Sequence, residues 1–249
     1  METSAIAQLM QPPALDTCRS VLCVAPHPDD NEIGMGGVIA QMTAAGVHVD
    51  YLTVTDGALG DLGLHDPELD LAHVRKTEAI AAGQLLGVRD FYWLDLPDGT
   101  LRDVPALARA IAERLRQGGY DAVFCPDPWN AYEAHMDHVV VGRATAQAAI
   151  SCNLRAYPEG THTAPCNLQA VGFYFTGKPN TVVDITGYFA QKMQAIAAHQ
   201  SQISPEMLQL YTGYFAFRGQ RLTQSEAIGE GLKVLAPLLL HCIPEAADI

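Results

Sequence analysis

Short runs of β-branched, aromatic and other apolar residues recur along the chain at 20–25, 47–55, 91–96, 122–125, 171–176 and 181–185. Between most of them lie longer stretches in which apolar positions follow helical spacing, at 33–45, 68–86, 104–117, 138–150, 187–200 and 222–235. That alternation predicts βαβ units: an α/β, Rossmann-like doubly wound, mainly parallel sheet with helices on both faces and a C-terminal section packed on it. Gly46, Gly87 and Gly118 stand where helices should stop. Residues 151–170 are the least regular segment and mark the passage into the C-terminal section. No repeat of about 20–50 residues and no Gly-, Ser- or Pro-rich linker divides the chain. The expected organisation is a loose N-terminal arm, 1–17, followed by a single domain, 18–249.

With 249 residues, 49% of them apolar and 17% charged, the chain can bury roughly three-quarters of its unfolded surface without staples. Lys and Arg number 15 against 28 Asp and Glu, a net charge of −13, which argues against nucleic acid or an anionic membrane surface as the partner. Residues 1–17 carry no basic side chain and no continuous apolar core of a signal peptide. The apolar stretch 234–240 is broken by Pro237 and is far shorter than the ~20 residues that cross a bilayer. Six cysteines, at 18, 23, 125, 152, 166 and 242, form no Cys-x-x-Cys pair and so spell neither a zinc knuckle nor a redox motif. The expectation is a soluble cytoplasmic protein with reduced thiols, although Cys152 and Cys166 flank one loop and could bridge in an oxidising compartment.

In a doubly wound sheet the ligand sits beyond the carboxyl ends of the strands. The first strand runs into Pro26-His27-Pro28-Asp29-Asp30-Asn31-Glu32, where a dinucleotide-binding protein would place a glycine loop. Gly34, Gly36 and Gly37 come too late for that, and pyrophosphate would lie against Asp29 and Asp30, at a cost of several kcal/mol. A metal suits the same residues better: His27 offers a neutral nitrogen, Asp30 an anionic oxygen, and Asp29 can reach a water. A third ligand must come from another strand end, because catalytic zinc takes three protein ligands and leaves one position open. Strand 122–125 is followed by His135-Met136-Asp137-His138. Each cluster alone has a plainer reading: Asp30, Asn31 or Asp137 can cap a helix, and His135 and His138 can be solvated loop residues. Two such clusters at two parallel strand ends favour the metal.

His27-Pro-Asp29-Asp30 with Gly34-x-Gly36-Gly37, and His135-x-Asp137-His138 about a hundred residues later, resemble the LmbE-like (PIG-L) zinc-dependent de-N-acetylases. Arg75-Lys-Thr-Glu78, Asp95-Leu-Pro-Asp98-Gly99, Asp184-Ile-Thr186 and Ser201-Gln202 extend the likeness more weakly. The wording 32–37 and Lys178-Pro-Asn180 is most similar to the branch of bacillithiol-pathway deacetylases. The resemblance implies removal of acetyl from an N-acetylglucosamine-type sugar or conjugate, with one Zn2+ per chain, other divalent metals being possible. It makes His27, Asp30 and His138 the metal ligands, Asp29 the general base, and His135 the group that stabilises or protonates the transition state. Asp137 would then accept the other N–H of His135 and keep it an imidazolium. Arg75 would bind substrate, or else pair on a helix surface with Asp70 or Glu78. The three glycines would permit close packing, and Glu78 would be structural. Lys192, His199 and Gln202, at i, i+7 and i+10, would form a packed or inter-subunit helix face. Relatives in this branch imply a homo-oligomer, a trimer or hexamer.

The sequence departs from the family pattern at Asn31, where many members have Glu, at Met136 in place of Pro, and at Glu133-Ala134, which offer no basic or aromatic group before His135. Two alternatives stand beside the deacetylase: an amidase of a larger thiol-sugar conjugate, and a non-catalytic metal- or sugar-binding module. A binder needs neither Asp29 nor His135, which speaks against the last. Segments 56–70, 127–135 and 151–180 would shape the pocket that separates the first two.

Overall fold

The computed structural model describes residues 3–61 and 68–249. Helix α1 (Thr3–Leu9) precedes strand β1 (Ser20–Ala25); then follow α2 (Asp30–Ala44), β2 (His48–Thr55), α3 (Leu71–Leu85), β3 (Phe91–Leu96), α4 (Val104–Gly118), β4 (Ala122–Pro126) and α5 (Met136–Ser151). The remainder comprises β5 (Ala170–Tyr174), β6 (Thr181–Asp184), α6 (Phe189–Ala197), α7 (Pro205–Thr223) and β7 (Gly229–Leu235). The strands form one seven-stranded sheet in the order β3-β2-β1-β4-β5-β7-β6. The first five are parallel, and β7 runs antiparallel to both β5 and β6. Alternation along β1 divides the core in two. Leu22 and Val24 face Leu107, Ile111 and Leu115 of α4 and Val140 and Val141 of α5, whereas Val21 and Cys23 face Met35 and Ile39 of α2, Leu86, and Ala195 of α6. The sheet order reverses between β1 and β4, so the turns after these two strands flank the switch point where a crevice opens.

Three expectations give way. Residues 222–235 are not a helix: α7 ends at Gln224 in the left-handed region (φ 53°), and 229–235 form β7. Ile228, Leu232 and Val234 recur at even spacing, β7 pairs with both β5 and β6, and a Cβ on Gly229 would come within 2.7 Å of Val182 on β6. Helix α7 itself went unanticipated, although Ser204 caps it and Pro205 opens it; Gly219 is its one buried residue, so it has no core-facing periodicity. Segment 3–17 is not a loose arm but α1 and a 3-10 turn, with Leu9 and Met10 against the core. Gly119 (φ 62°), not Gly118, stops α4. All six cysteines are free, and Cys152 Sγ donates to the Cys166 carbonyl at 3.4 Å.

Candidate metal centre and active site

His27 leaves the end of β1, and Asp30 opens α2 three residues later. Asp29 between them adopts φ 122°, ψ −23°, a conformation that costs a non-glycine residue of order 1–3 kcal/mol and persists only where the surroundings impose it. They do so through Arg75, whose guanidinium donates to the Pro28 carbonyl at 2.8 Å and the Gly57 carbonyl at 2.7 Å and pairs with Asp29 Oδ2 at 3.3 Å. On the β4 side, the loop after the strand is folded by Asp127 and Glu133, whose carboxylates accept from the backbone N–H of Trp129 and His135. His138 thus enters on the first turn of α5.

The two clusters meet. Asp30 Oδ2 lies 3.2 Å from His27 Nδ1, and Asp30 Oδ1 lies 3.2 Å from His138 Nε2. His27, Asp30 and His138 each offer a ligand atom, all within 4.8 Å of one another, so this His₂Asp set could hold a divalent metal ion with a coordination position left open. The outer nitrogens face carboxylates: His27 Nε2 is 3.2 Å from Asp98 Oδ1 and 3.4 Å from Asp137 Oδ2, and His138 Nδ1 is 3.2 Å from Glu133 Oε2. Carboxylates in this position fix ring orientation and raise ligand basicity. His135, exposed at the mouth, has its ring 4.5 Å from His27 and 5.0 Å from His138.

Burial pulls His27 down, but hydrogen bonds and charge from Asp30 and Asp98 more than offset it and push it up to about 10. Burial and the Asp30 charge raise Asp29 to about 6, against the opposing charges of Arg75, His199 and His27, which brings this carboxyl group close to neutral pH. Burial together with the two neighbouring imidazoles lowers His135. A resident imidazolium at that position is therefore disfavoured. Asp137 accepts from the backbone N–H of Gly99 at 2.8 Å and Leu101 at 3.3 Å and lies 3.4 Å from His27 Nε2; it also stays within 4.8 Å of a His135 nitrogen, where its charge raises that imidazole against the larger opposing effects.

Arg75 is buried and touches neither Asp70 nor Glu78, which hold the backbone N–H of His73 and of Ser201 instead. Lys192 and His199 do not share a helical face, because α6 ends at Ala197; both are buried, and Gln202 is half-buried. His199 Nε2 lies 3.4 Å from Glu32. Lys192 pairs with Glu230 across a break in α2 at Met35 (φ −150°): it donates to the Ile33 carbonyl, while Glu230 accepts from the N–H of Gly37 and Val38. A Cβ on Gly34 would come within 2.3 Å of Tyr174, and one on Gly37 within 2.4 Å of Ile185, so these glycines serve packing.

Several site residues went unassigned at the level of sequence. Asp98 carried a signal, its place directly after a strand end; Glu133 was read only for what it lacked. Phe175, the residue after β5, holds φ 57° and stacks on His138 at 5.8 Å with an interplanar angle of 8°. A cavity of about 530 Å³ extends from Asp30 and His138 past Phe175 to Tyr211, Phe215 and Arg218 of α7. Of the segments expected to shape the pocket, 62–67 lie outside the described residues. No helix among the described residues is long and apolar enough to cross a membrane.

Known proteins resemble this chain over most of its length. A diacetylchitobiose deacetylase of Thermococcus kodakarensis is 34% identical over 235 residues, covering 92% of this chain and 87% of that protein. A probable N-acetyl-alpha-D-glucosaminyl L-malate deacetylase 2 of Bacillus cereus is 32% identical over 192 residues, 74% of this chain and 84% of its own. The structure of N,N'-diacetylchitobiose deacetylase from Pyrococcus horikoshii, in complex with an inhibitor, superposes with a TM-score of 0.88 at 30% identity and covers 100% of this chain and 99% of that one. The model of the PIG-L family, described as GlcNAc-PI de-N-acetylase, matches residues 22–149, the stretch from β1 through α5 that carries every His and Asp of the cluster after its first strand, and the chain belongs to that family.

Proposed function

We propose that this protein is a zinc-dependent N-deacetylase that hydrolyses the acetamide of an N-acetylglucosamine unit in a small sugar conjugate. The observation that carries the reading is the convergence of His27 Nδ1, Asp30 and His138 Nε2 at ligand separations, with the strained carboxylate of Asp29 beside them. When bound by these three residues, the metal supplies a Lewis acid that acidifies water and polarises the acetamide carbonyl. Asp29, ionised above about pH 6, accepts the proton of the attacking water and hands it to the departing amine. Neutral His135 donates an N–H to the oxyanion of the tetrahedral intermediate, the role a proton-poor imidazole can fill. Asp98 and Asp137 keep His27 oriented, and Glu133 does the same for His138. Arg75 holds Asp29 in its strained conformation and is a positioning residue in this scheme.

We also propose a homo-oligomer. Met207, Leu210 and Phe217 are exposed along α7 at 39%, 63% and 60%, an apolar stripe larger than an isolated surface needs. The decisive experiment is acetate release from N-acetylglucosamine, its disaccharide and its malate and inositol conjugates by zinc-loaded protein. Turnover of at least one supports the reading; release of a larger acid, with no acetate from any, refutes it.

A further inference from the structure

Asn130, Thr176 and Gly177 line two cavities: the one that reaches Asp30 and His138, and a second, of about 610 Å³, that touches none of the three candidate ligands. One wall of the second cavity is a patch of the sheet, formed by Phe173 on β5 and by Lys233 and Leu235 on β7, with Phe173 and Lys233 directly paired. The C-terminal segment, which carries 3-10 turns at Pro237–Leu240 and Pro244–Ala247, closes it with Leu239, Ile243 and Ala246. Trp129, 48% exposed, packs edge-on against Phe173 at a ring separation of 5.3 Å and forms the rim. Lys233 is out of keeping with these surroundings. It is 7% exposed, and for its three N–H donors the described residues supply one acceptor, the main-chain oxygen of Ile249. Among the described residues no carboxylate side chain pairs with it, whereas Lys178, on the same cavity wall, lies 4.0 Å from Asp248. Burial and the charge of Lys178 lower Lys233 from the usual lysine range, against the pull of Asp127 and Asp248. The wall thus holds two ammonium groups against one carboxylate, Asp127, whose Oδ1 already accepts the Trp129 N–H at 2.9 Å.

We propose that this second cavity is a binding site for an apolar monocarboxylate, with the carboxylate held by Lys233 and the hydrocarbon body against Phe173, Trp129, Leu239 and Ile243. A buried lysine is ordinarily paired, and a single negative charge matches the one net positive charge of this wall. The remaining surface is aliphatic and aromatic, so the affinity beyond the ion pair comes from apolar area removed from water. A sugar fits poorly, because hydroxyls set against Leu235, Leu239 and Ile243 would lose their hydrogen bonds to water and gain none. Phosphate and other strongly hydrated multivalent anions would be stripped of water by walls that offer them nothing in return. The site shares Asn130 and residues 176–177 with the cavity beside the metal ligands, but no charged residue, and it does not depend on which reaction the metal centre performs.

Calorimetry on the full-length, zinc-loaded protein compares octanoate with its uncharged analogue octan-1-ol. Octanoate should bind with one equivalent per chain and at least about tenfold more tightly than the alcohol, a difference of roughly 1.4 kcal/mol. Lys233→Met keeps the length of the side chain without its charge, and should bring the two probes to within about twofold of each other while octanol still binds. Trp129→Ala, at the exposed rim, should weaken both probes by about threefold or more and leave their ratio unchanged. Melting temperatures show that each variant folds; if Lys233→Met does not, Lys233→Gln removes the same charge and takes its place. Equal affinity of the two probes for the wild-type protein overturns the proposal, as does the absence of saturable octanoate binding at millimolar concentration. Octanoate binding that survives the Lys233 substitution undiminished overturns it too, since the carboxylate then sits on the metal.

Discussion

Replacing Arg75 by methionine keeps much of the side-chain volume but removes a guanidinium that is 4% exposed and serves Pro28 O, Gly57 O and Asp29. Breaking a buried ion pair from one side costs about 3–5 kcal/mol, a fall in melting temperature of roughly 6–20 °C for a chain of this size. The effect on chemistry is separable. Burial and Asp30 raise the Asp29 carboxyl to about 6, and Arg75 is the leading group that opposes them. Without that cation the carboxyl rises further, less of it is ionised at neutral pH, and the acidic limb of kcat/KM moves to higher pH. An opposite charge this close is worth about 1–3 pH units, so a shift of at least one unit is expected. Arg75→Lys keeps the charge but not the fork that spans three acceptors; its limb should stay within about half a unit of wild type, while kcat falls. Acetate release between pH 5 and 9, at saturating metal and below each variant's melting temperature, reads both. An unmoved limb in folded Arg75→Met refutes the argument, and a loss confined to KM returns Arg75 to the substrate-binding role that the family resemblance implied.

Elemental analysis after mild purification should find close to one divalent metal per chain, chiefly zinc, and His138→Ala should lose it; a fully active protein without metal would refute the site. Asp29→Asn and His135→Ala should keep metal and fold but lower kcat by ~10²–10⁴, and activity within about threefold of wild type would remove the residue from the mechanism. Lys192→Met leaves Glu230 buried without its cation and should cost about 3–5 kcal/mol, visible in denaturant unfolding; a change below ~1 kcal/mol would mean that the helix N–H groups alone satisfy Glu230. Light scattering at micromolar concentration should give a multiple of 26.8 kDa, and a monomer mass would refute the oligomer.

The meeting of His27, Asp30 and His138 was legible in the sequence because two independent regularities coincide there. Each His/Asp cluster follows a short apolar run that ends a parallel strand, and the doubly wound topology brings the ends of β1 and β4 side by side. Residues whose role depends on a neighbour distant in sequence were not legible in this way. Arg75 sits on α3, where helical spacing suggests a surface ion pair, and nothing local indicates that β2 and α2 deliver Gly57, Pro28 and Asp29 to its guanidinium. Asp137 stands two residues from His135 and looks like its partner alone, yet on the first turn of α5 its carboxylate also reaches His27 and the backbone of the 99–101 turn, contacts that no local pattern announces.

The C-terminal third shows the same limit at the level of elements. Helix α7 follows no core periodicity because it hardly covers a core: Gly219 is its one buried residue, Met207, Leu210 and Phe217 remain exposed, and Tyr211 and Phe215 line the cavity beside the metal ligands. Strand β7 supplies Glu230 to a break in α2 that no local rule in 30–44 announces, since Gly34, Gly36 and Gly37 read equally well as packing glycines. A continuous α2 would leave the N–H groups of Gly37 and Val38 bonded within the helix and Glu230 buried with Lys192 alone. The break separates the first turn of α2, which Asp29 precedes and Asp30 opens, from the remainder, which packs against α6 and the sheet. The ion pair from α6 and β7 ties the two segments across that break. The C-terminal section that α7 belongs to is therefore joined to Asp30, one of the three proposed ligands, through the backbone of one helix, although it is remote in sequence from both His/Asp motifs.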